Sequence, residues 1–256
     1  MGELAARSPG GLSVAASAYA LKHDGSLGYA DTTAGEAEGG AQMEAAGLPA
    51  LRSFGANLTI LGMCYFTHGD GIAAVLAEPQ PFIAAVVAKV REQGLAGMDL
   101  DYEPQGVAAA YAAARRRGAS PVSFPAFLAM LAQALDAAGG YALTIDAEGG
   151  APGSCASIPC AAYAAIGALR SVNTMDTFNI NTVAAFQGMM AVDLPVLGDK
   201  WAPGFEPANL GDALGGIVAA ALAGNVSQMA SWAIHEWNNG PQPQAFIDGV
   251  AAFLAG

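Results

Sequence analysis

Positive charge is scarce in this chain. Lys and Arg together number 10 against 22 Asp and Glu, which leaves a formal net charge of −12 at pH 7. A surface of that sign repels phosphate backbones, so no nucleic-acid partner is expected. Charge of either sign is also sparse, at 12% of residues against 54% hydrophobic. That balance excludes a disordered chain, which has too little apolar surface to offset its ordering entropy. Cysteines and histidines number only 3 each, and their spacing resembles no metal-ligand set. A G-x-S-x-G elbow, a Ser-His-Asp order and a G-x-x-x-x-G-K-[ST] phosphate loop are all missing. No run of about 18 strongly apolar residues occurs, so no membrane span is expected. The opening segment, Met1–Gly11, is too weakly apolar for a secretory signal.

What is present is alternation. The chain has 256 residues, a length that suits one α/β barrel of about 250 residues. Strands are expected at Leu12–Leu21, Asn57–Phe66, Leu95–Tyr102, Tyr141–Ala147, within Val172–Asn181, at Val192–Gly198 and at Gln228–Glu236. Helices are expected at about Gln42–Phe54, Pro81–Gln93, Phe124–Ala138, Ala161–Leu169, Leu210–Leu222 and Pro241–Leu254. Residues 30–42, the stretch around His68–Gly71 and Glu148–Cys160 read as loops. The run from Asn57 to Phe66 is almost continuously apolar, as a parallel strand buried on both faces should be. Strands alternating with helices predict a parallel sheet covered by helices, in one domain over residues 1–256. The fold class is α/β, a TIM (β/α)8 barrel with its first strand lacking or altered. Cys155 and Cys160 bracket a short loop and can pair in an oxidising compartment. Cys64 lies in an apolar strand and reads as a buried thiol.

One strand carries chemistry. In Ala96-Gly97-Met98-Asp99-Leu100-Asp101-Tyr102-Glu103 the acids recur at every second residue. Residues two apart share a strand face, so Asp99, Asp101 and Glu103 point one way and Met98, Leu100 and Tyr102 the other. In a barrel the apolar set packs on the helices and the acids face inward. Three carboxylates within roughly 14 Å repel one another, which favours protonation of at least one. A carboxyl kept protonated near neutral pH is what a general acid needs. Glu103 sits at the C-terminal end of the strand, where barrel active sites open.

This stretch resembles the D-G-x-D-x-D-x-E motif of glycoside hydrolase family 18, the chitinases and endo-β-N-acetylglucosaminidases. Leu58–Phe66 resembles the strand before the catalytic one, and Phe82–Gln93 the helix leading into it. Asp176–Thr182 resembles the sixth strand, and Ser231-Trp232 the last. Leu12–Leu21 with the Asp24-Gly25 turn resembles the second strand, so the first is expected to be truncated or rebuilt. The resemblance implies retaining, substrate-assisted hydrolysis of β-1,4-linked N-acetylglucosamine. Glu103 would be the proton donor, Asp101 would orient the sugar's acetamido group, and Asp99 would share a proton with Asp101. It implies no metal and no organic cofactor. The implied partner is an oligo- or polysaccharide containing N-acetylglucosamine.

Three departures from the family pattern bear on turnover. Ala96 stands where the first motif acid belongs. Gly62-Met63-Cys64-Tyr65 replaces Ser-x-Gly-Gly. The sixth strand lacks a clean Met-x-Tyr-Asp, so Asn179 or Asn181 is the expected polar substitute. The alternative function is a chitin-binding barrel with weak or no catalysis, lectin-like in use. The remaining substrate-binding candidates are Tyr65, Trp232 and Trp201. Trp232 is either the floor of the sugar site or a core residue, and Trp201 is either a second platform or a loop anchor. Asp146, Glu148 and Glu236 also fall at expected strand ends.

Overall fold

The computed structural model describes residues 12–30, 37–53, 58–103, 120–147, 153–175, 180–205, 213–231, 248 and 253. It divides the chain into two compact units. One comprises Ser13–Ile145 and Ile166–Arg170; the other comprises Met1–Leu12, Asp146–Ala165 and Ser171–Gly256.

The first unit opens with strand β1 (Leu12–Leu21), which turns at Asp24 into a short antiparallel strand β2 (Leu27–Tyr29). Asp24 makes the turn by accepting hydrogen bonds from the Ser26 amide and hydroxyl, the usual use of Asp at such a position. Helix α1 (Ala37–Gln42), a π-helical turn at Met43–Gly47 and helix α2 (Leu48–Arg52) follow. Part of the expected loop over 30–42 is therefore helical. Strand β3 (Leu58–Phe66) then leads to helix α3 (Gly69–Ala77), where a loop is expected from the sequence. Its glycines hide an apolar stripe, since Ile72, Ala73, Val75 and Leu76 are all buried. Helix α4 (Pro79–Glu92) begins with prolines in its first turn, where a missing N–H costs nothing. Strand β4 (Gly97–Tyr102), helix α5 (Phe124–Gly139) and strand β5 (Ala142–Ala147) complete the series. Ser123 caps α5 by accepting from the Ala126 amide, and Gly140 ends it in the left-handed conformation, φ 70°.

Strands in this unit lie in the order β2-β1-β3-β4-β5. Strand β3 runs parallel to β4 with Phe66 opposite Tyr102, Tyr65 opposite Asp101 and Met63 opposite Asp99. Phe66 and Tyr102 point into an aromatic core with Phe82 of α4 and Phe124 and Phe127 of α5. Ring centroids there are 3.7–6.3 Å apart. That packing fixes the parity of both strands: even-numbered side chains go to the helices, and odd-numbered ones take the opposite face.

In the second unit, a 3-10 turn at Ser154–Ala156 and helix α6 (Cys160–Ala164) are stapled by the Cys155–Cys160 disulfide. Strand β6 (Leu169–Thr174), helix α7 (Val183–Leu197), strand β7 (Trp201–Phe205), helix α8 (Leu214–Ala223) and strand β8 (Ala230–Ser231) follow. Strands β6, β7 and β8 are parallel neighbours. The strand expected at Val192–Gly198 is instead the end of α7. Thr182 starts this helix by accepting from the Ala185 amide, and strong helix formers carry it forward. Pro195 sits close to its end, and Gly198 (φ 59°) terminates it. The strand after α7 thus lies at Trp201–Phe205. No single helix among the described residues is long and apolar enough to cross a membrane.

Candidate active site

Strand β4 is buried on both faces, and its two acids are no exception. Asp99 is 1% exposed and Asp101 2%. Both project from the face opposite the aromatic core, as the parity of Tyr102 requires. Glu103 follows the strand directly and is half-buried. A buried carboxylate survives only with hydrogen-bonded company. For Asp99 that company includes the Thr144 hydroxyl of β5, which donates to Asp99 Oδ1 and is itself buried.

Two glycine-length details hold these strands in place. The Ala96 amide donates to the Ile60 carbonyl on the β3 side at 2.8 Å, and the Ala96 carbonyl accepts from the Ala142 amide on the β5 side at 2.9 Å. Ala96 therefore ties three strands together through its backbone. Gly97 comes next, and a Cβ there would lie 2.0 Å from the Ala142 carbonyl oxygen. A glycine is required here by this close approach of β4 and β5.

Tyr65 lies opposite Asp101 on β3 and is half-buried. Cys64 points the other way and is a buried free thiol. Burial pushes its ionisation well above the usual thiol range, and the negative charges of Asp101 and Asp99 push it further. Of the expected site residues, Asp99, Asp101, Glu103 and Tyr65 are thus gathered on β3 and β4. Thr144 was absent from the expected set. The alternation of Leu143-Thr144-Ile145-Asp146 in a strand buried on both faces was the available signal.

In the second unit, Asp146 is 8% exposed and accepts from the Asn173 amide at 2.6 Å, while Asn173 Oδ1 accepts from the Ser171 hydroxyl at 3.1 Å. Ser171 and Asn173 share a face of β6. The strand described here is Leu169–Thr174; of the segment Asp176–Thr182 expected as the sixth strand, residues 176–179 lie outside the described residues and Thr182 is the cap of α7. Asn181 is exposed just before that cap. Trp201 is corrected too: it opens β7, is 0% exposed, and donates from Nε1 to Thr174 Oγ1 at 3.0 Å. Stacked at 6.0 Å on Phe186, its ring is core and not a surface for a sugar. Asn179 and Trp232 lie outside the described residues. Among the described residues no cluster of three or more His, Cys, Asp or Glu has the arrangement of a metal site.

No family model and no curated protein matches the chain. Solved structures do. A chitinase from Chromobacterium violaceum ATCC 12472 superimposes with a TM-score of 0.64 at 14% identity, over 99% of this chain and 95% of that one. A putative chitinase A from Streptomyces coelicolor gives 0.65 at 14% identity, over 99% and 92%. A GH18 chitinase from Cycas revoluta, solved in complex with (GlcNAc)3, gives 0.62 at 13% identity, over 93% and 91%. At these identities the likeness establishes the fold, which is the α/β class expected from the alternation.

Proposed function

We propose that the chain is a retaining glycoside hydrolase that cleaves β-1,4-linked N-acetylglucosamine by substrate assistance. The observation that carries this reading is the buried pair Asp99 and Asp101 on one face of β4, followed by half-buried Glu103 at the strand's C-terminal end. Two carboxylates on adjacent inward positions, about 7 Å apart along the strand, favour holding one proton between them. Their negative field also favours the protonated form of Glu103.

In the proposed reaction the Glu103 carboxyl passes its proton to the glycosidic oxygen as the bond from that oxygen to C1 breaks. The acetamido carbonyl oxygen of the same sugar bonds to C1, giving an oxazolinium. Asp101 holds the acetamido N–H in line for that attack. Water then bonds to C1 as the bond from C1 to the acetamido oxygen breaks, and the Glu103 carboxylate takes the water's proton, so the acetamido group is released, the configuration at C1 is retained and the acid is regenerated. The chitinase structures of the same fold, one of them holding a GlcNAc trimer, support this substrate class.

Ala96 at the first motif position favours a second reading, a barrel that binds the same sugars with little turnover. Digestion of a chito-oligosaccharide followed by proton NMR separates the two. The hydrolase reading predicts that the β-anomer of the new reducing end appears first and then equilibrates. Initial release of the α-anomer contradicts substrate assistance. No cleavage with retained chitin binding selects the binding reading.

A further inference from the structure

We propose that Tyr65 is a specificity-determining residue that walls the β3 side of Asp101, admitting an N-acetyl group on the sugar and turning away longer N-acyl groups. This deepens the hydrolase reading and rests on it. One level deeper in the sheet, the same face is filled. Met63 on β3, Asp99 on β4 and Thr144 on β5 are 2%, 1% and 6% exposed. Met63 lies opposite Asp99 in the register. Its sulfur accepts from the Ser17 hydroxyl of β1 at 3.9 Å, and Asp99 Oδ1 accepts from the Thr144 hydroxyl. Side chains of four neighbouring strands thus meet in one layer and close it.

Tyr65 and Asp101 form the next layer. They are partners in the parallel register, two residues on from Met63 and Asp99 and on the same face. Neighbouring strands lie about 4.8 Å apart, so the two side chains leave the sheet side by side. Asp101 is 2% exposed, whereas Tyr65 is half-buried. The accessible surface on the β3 side at this level is therefore the tyrosine. Glu103, also half-buried, follows Asp101 two residues further on.

A group that reaches Asp101 comes to rest above the filled layer and against the Tyr65 ring. In the proposed reaction that group is the acetamido substituent, whose N–H Asp101 holds. Its acyl carbon is one bond from that nitrogen and within reach of a ring one strand away. The ring is stiff, with only two side-chain torsions. Its strand is also pinned: Cys64 and Phe66, on either side of Tyr65, are fully buried, and Phe66 packs 5.6 Å from both Phe82 and Phe127. The base of the wall therefore stays in place when a larger group presses on it. An apolar pocket of fixed size discriminates by the methylene, at roughly 10–200-fold in kcat/KM for each one.

The test compares two chito-oligosaccharide glycosides that differ only in the N-acyl group, acetyl in one and butyryl in the other. The wild type is expected to favour the acetylated sugar by at least about tenfold in kcat/KM, and Tyr65→Ala to shrink that ratio by about tenfold. Tyr65→Phe keeps the ring and should keep the wild-type ratio. A merely structural role would lower the melting temperature and slow both sugars together, leaving the ratio in place. The same comparison is made without turnover from calorimetric Kd values for Glu103→Gln with and without Tyr65→Ala. An unchanged ratio in folded Tyr65→Ala overturns the proposal and leaves the hydrolase reading standing. A wild type that cleaves neither sugar, with a Kd ratio that still shrinks in Tyr65→Ala, sinks the hydrolase reading and leaves the wall standing. Binding of neither sugar overturns both.

Discussion

The Cβ that Gly97 lacks would fall 2.0 Å from the carbonyl oxygen of Ala142. Strands β4 and β5 approach so closely there that any side chain must force them apart, and Thr144 would leave Asp99 as they part. Gly97→Ala is therefore expected to cost at least the usual 1–3 kcal/mol of an overpacked core. Urea denaturation checks it. A variant with an unchanged midpoint would show that the approach is not tight in solution.

Asp193 plays a structural part on α7. It is fully buried and accepts the backbone amides of Ser154 and Cys155, at 3.3 and 2.9 Å, which anchors the disulfide loop. Burial raises its carboxyl above the ordinary 3.8 even against those two donors. A raised carboxyl contributes stability below that ordinary value and loses it as pH rises through the folded one. Asp193→Asn keeps an acceptor and removes that loss, so its stability relative to wild type should grow as pH rises from 3 to 7. Asp193→Ala takes the acceptor away and should cost about 2–3 kcal/mol throughout.

Glu44 has the opposite sign. Burial opposes its charge, but hydrogen bonds from the Tyr29 and Tyr19 hydroxyls, at 2.9 Å each, and Lys89 at 3.3 Å win, holding it below the ordinary 4.5. Stability from this group is present above 4.5 and is lost as pH falls through the lower folded value. Glu44→Gln should therefore flatten the acid side of the stability curve. Denaturation midpoints between pH 3 and 6 that fall in parallel for both proteins would contradict this.

Cys64 is expected to resist thiol reagents in the native protein. It is buried, and both burial and the adjacent acids disfavour its thiolate. Labelling with iodoacetamide at pH 8, without reductant, should proceed only after denaturation and then modify a single cysteine, because Cys155 and Cys160 are paired.

The acidic strand and its face were legible because a two-residue period leaves no choice of side once Tyr102 is known to be core. The extended, apolar run of β3 was legible for the same reason that parallel strands are apolar on both faces. Three features were not. Val192–Leu197 looks like a strand in isolation, but the cap at Thr182, ten residues earlier, commits it to a helix. Trp201 reads as a loop aromatic beside Gly198 and Pro203, yet β6 supplies Thr174 as a partner for its indole, a contact no local pattern encodes. Thr144 is one threonine among many until β4 and β5 are seen side by side. Pairings between strands distant in sequence were the part that the chain did not spell out.

Glu103 is the proposed proton donor. The direct measurement is chromophore release from a chito-oligosaccharide glycoside by the wild type and by Glu103→Gln, with folding of both checked by thermal melting. The proposed role predicts release by the wild type and a loss of about 100-fold or more in the variant. Equal rates in two folded proteins would contradict it.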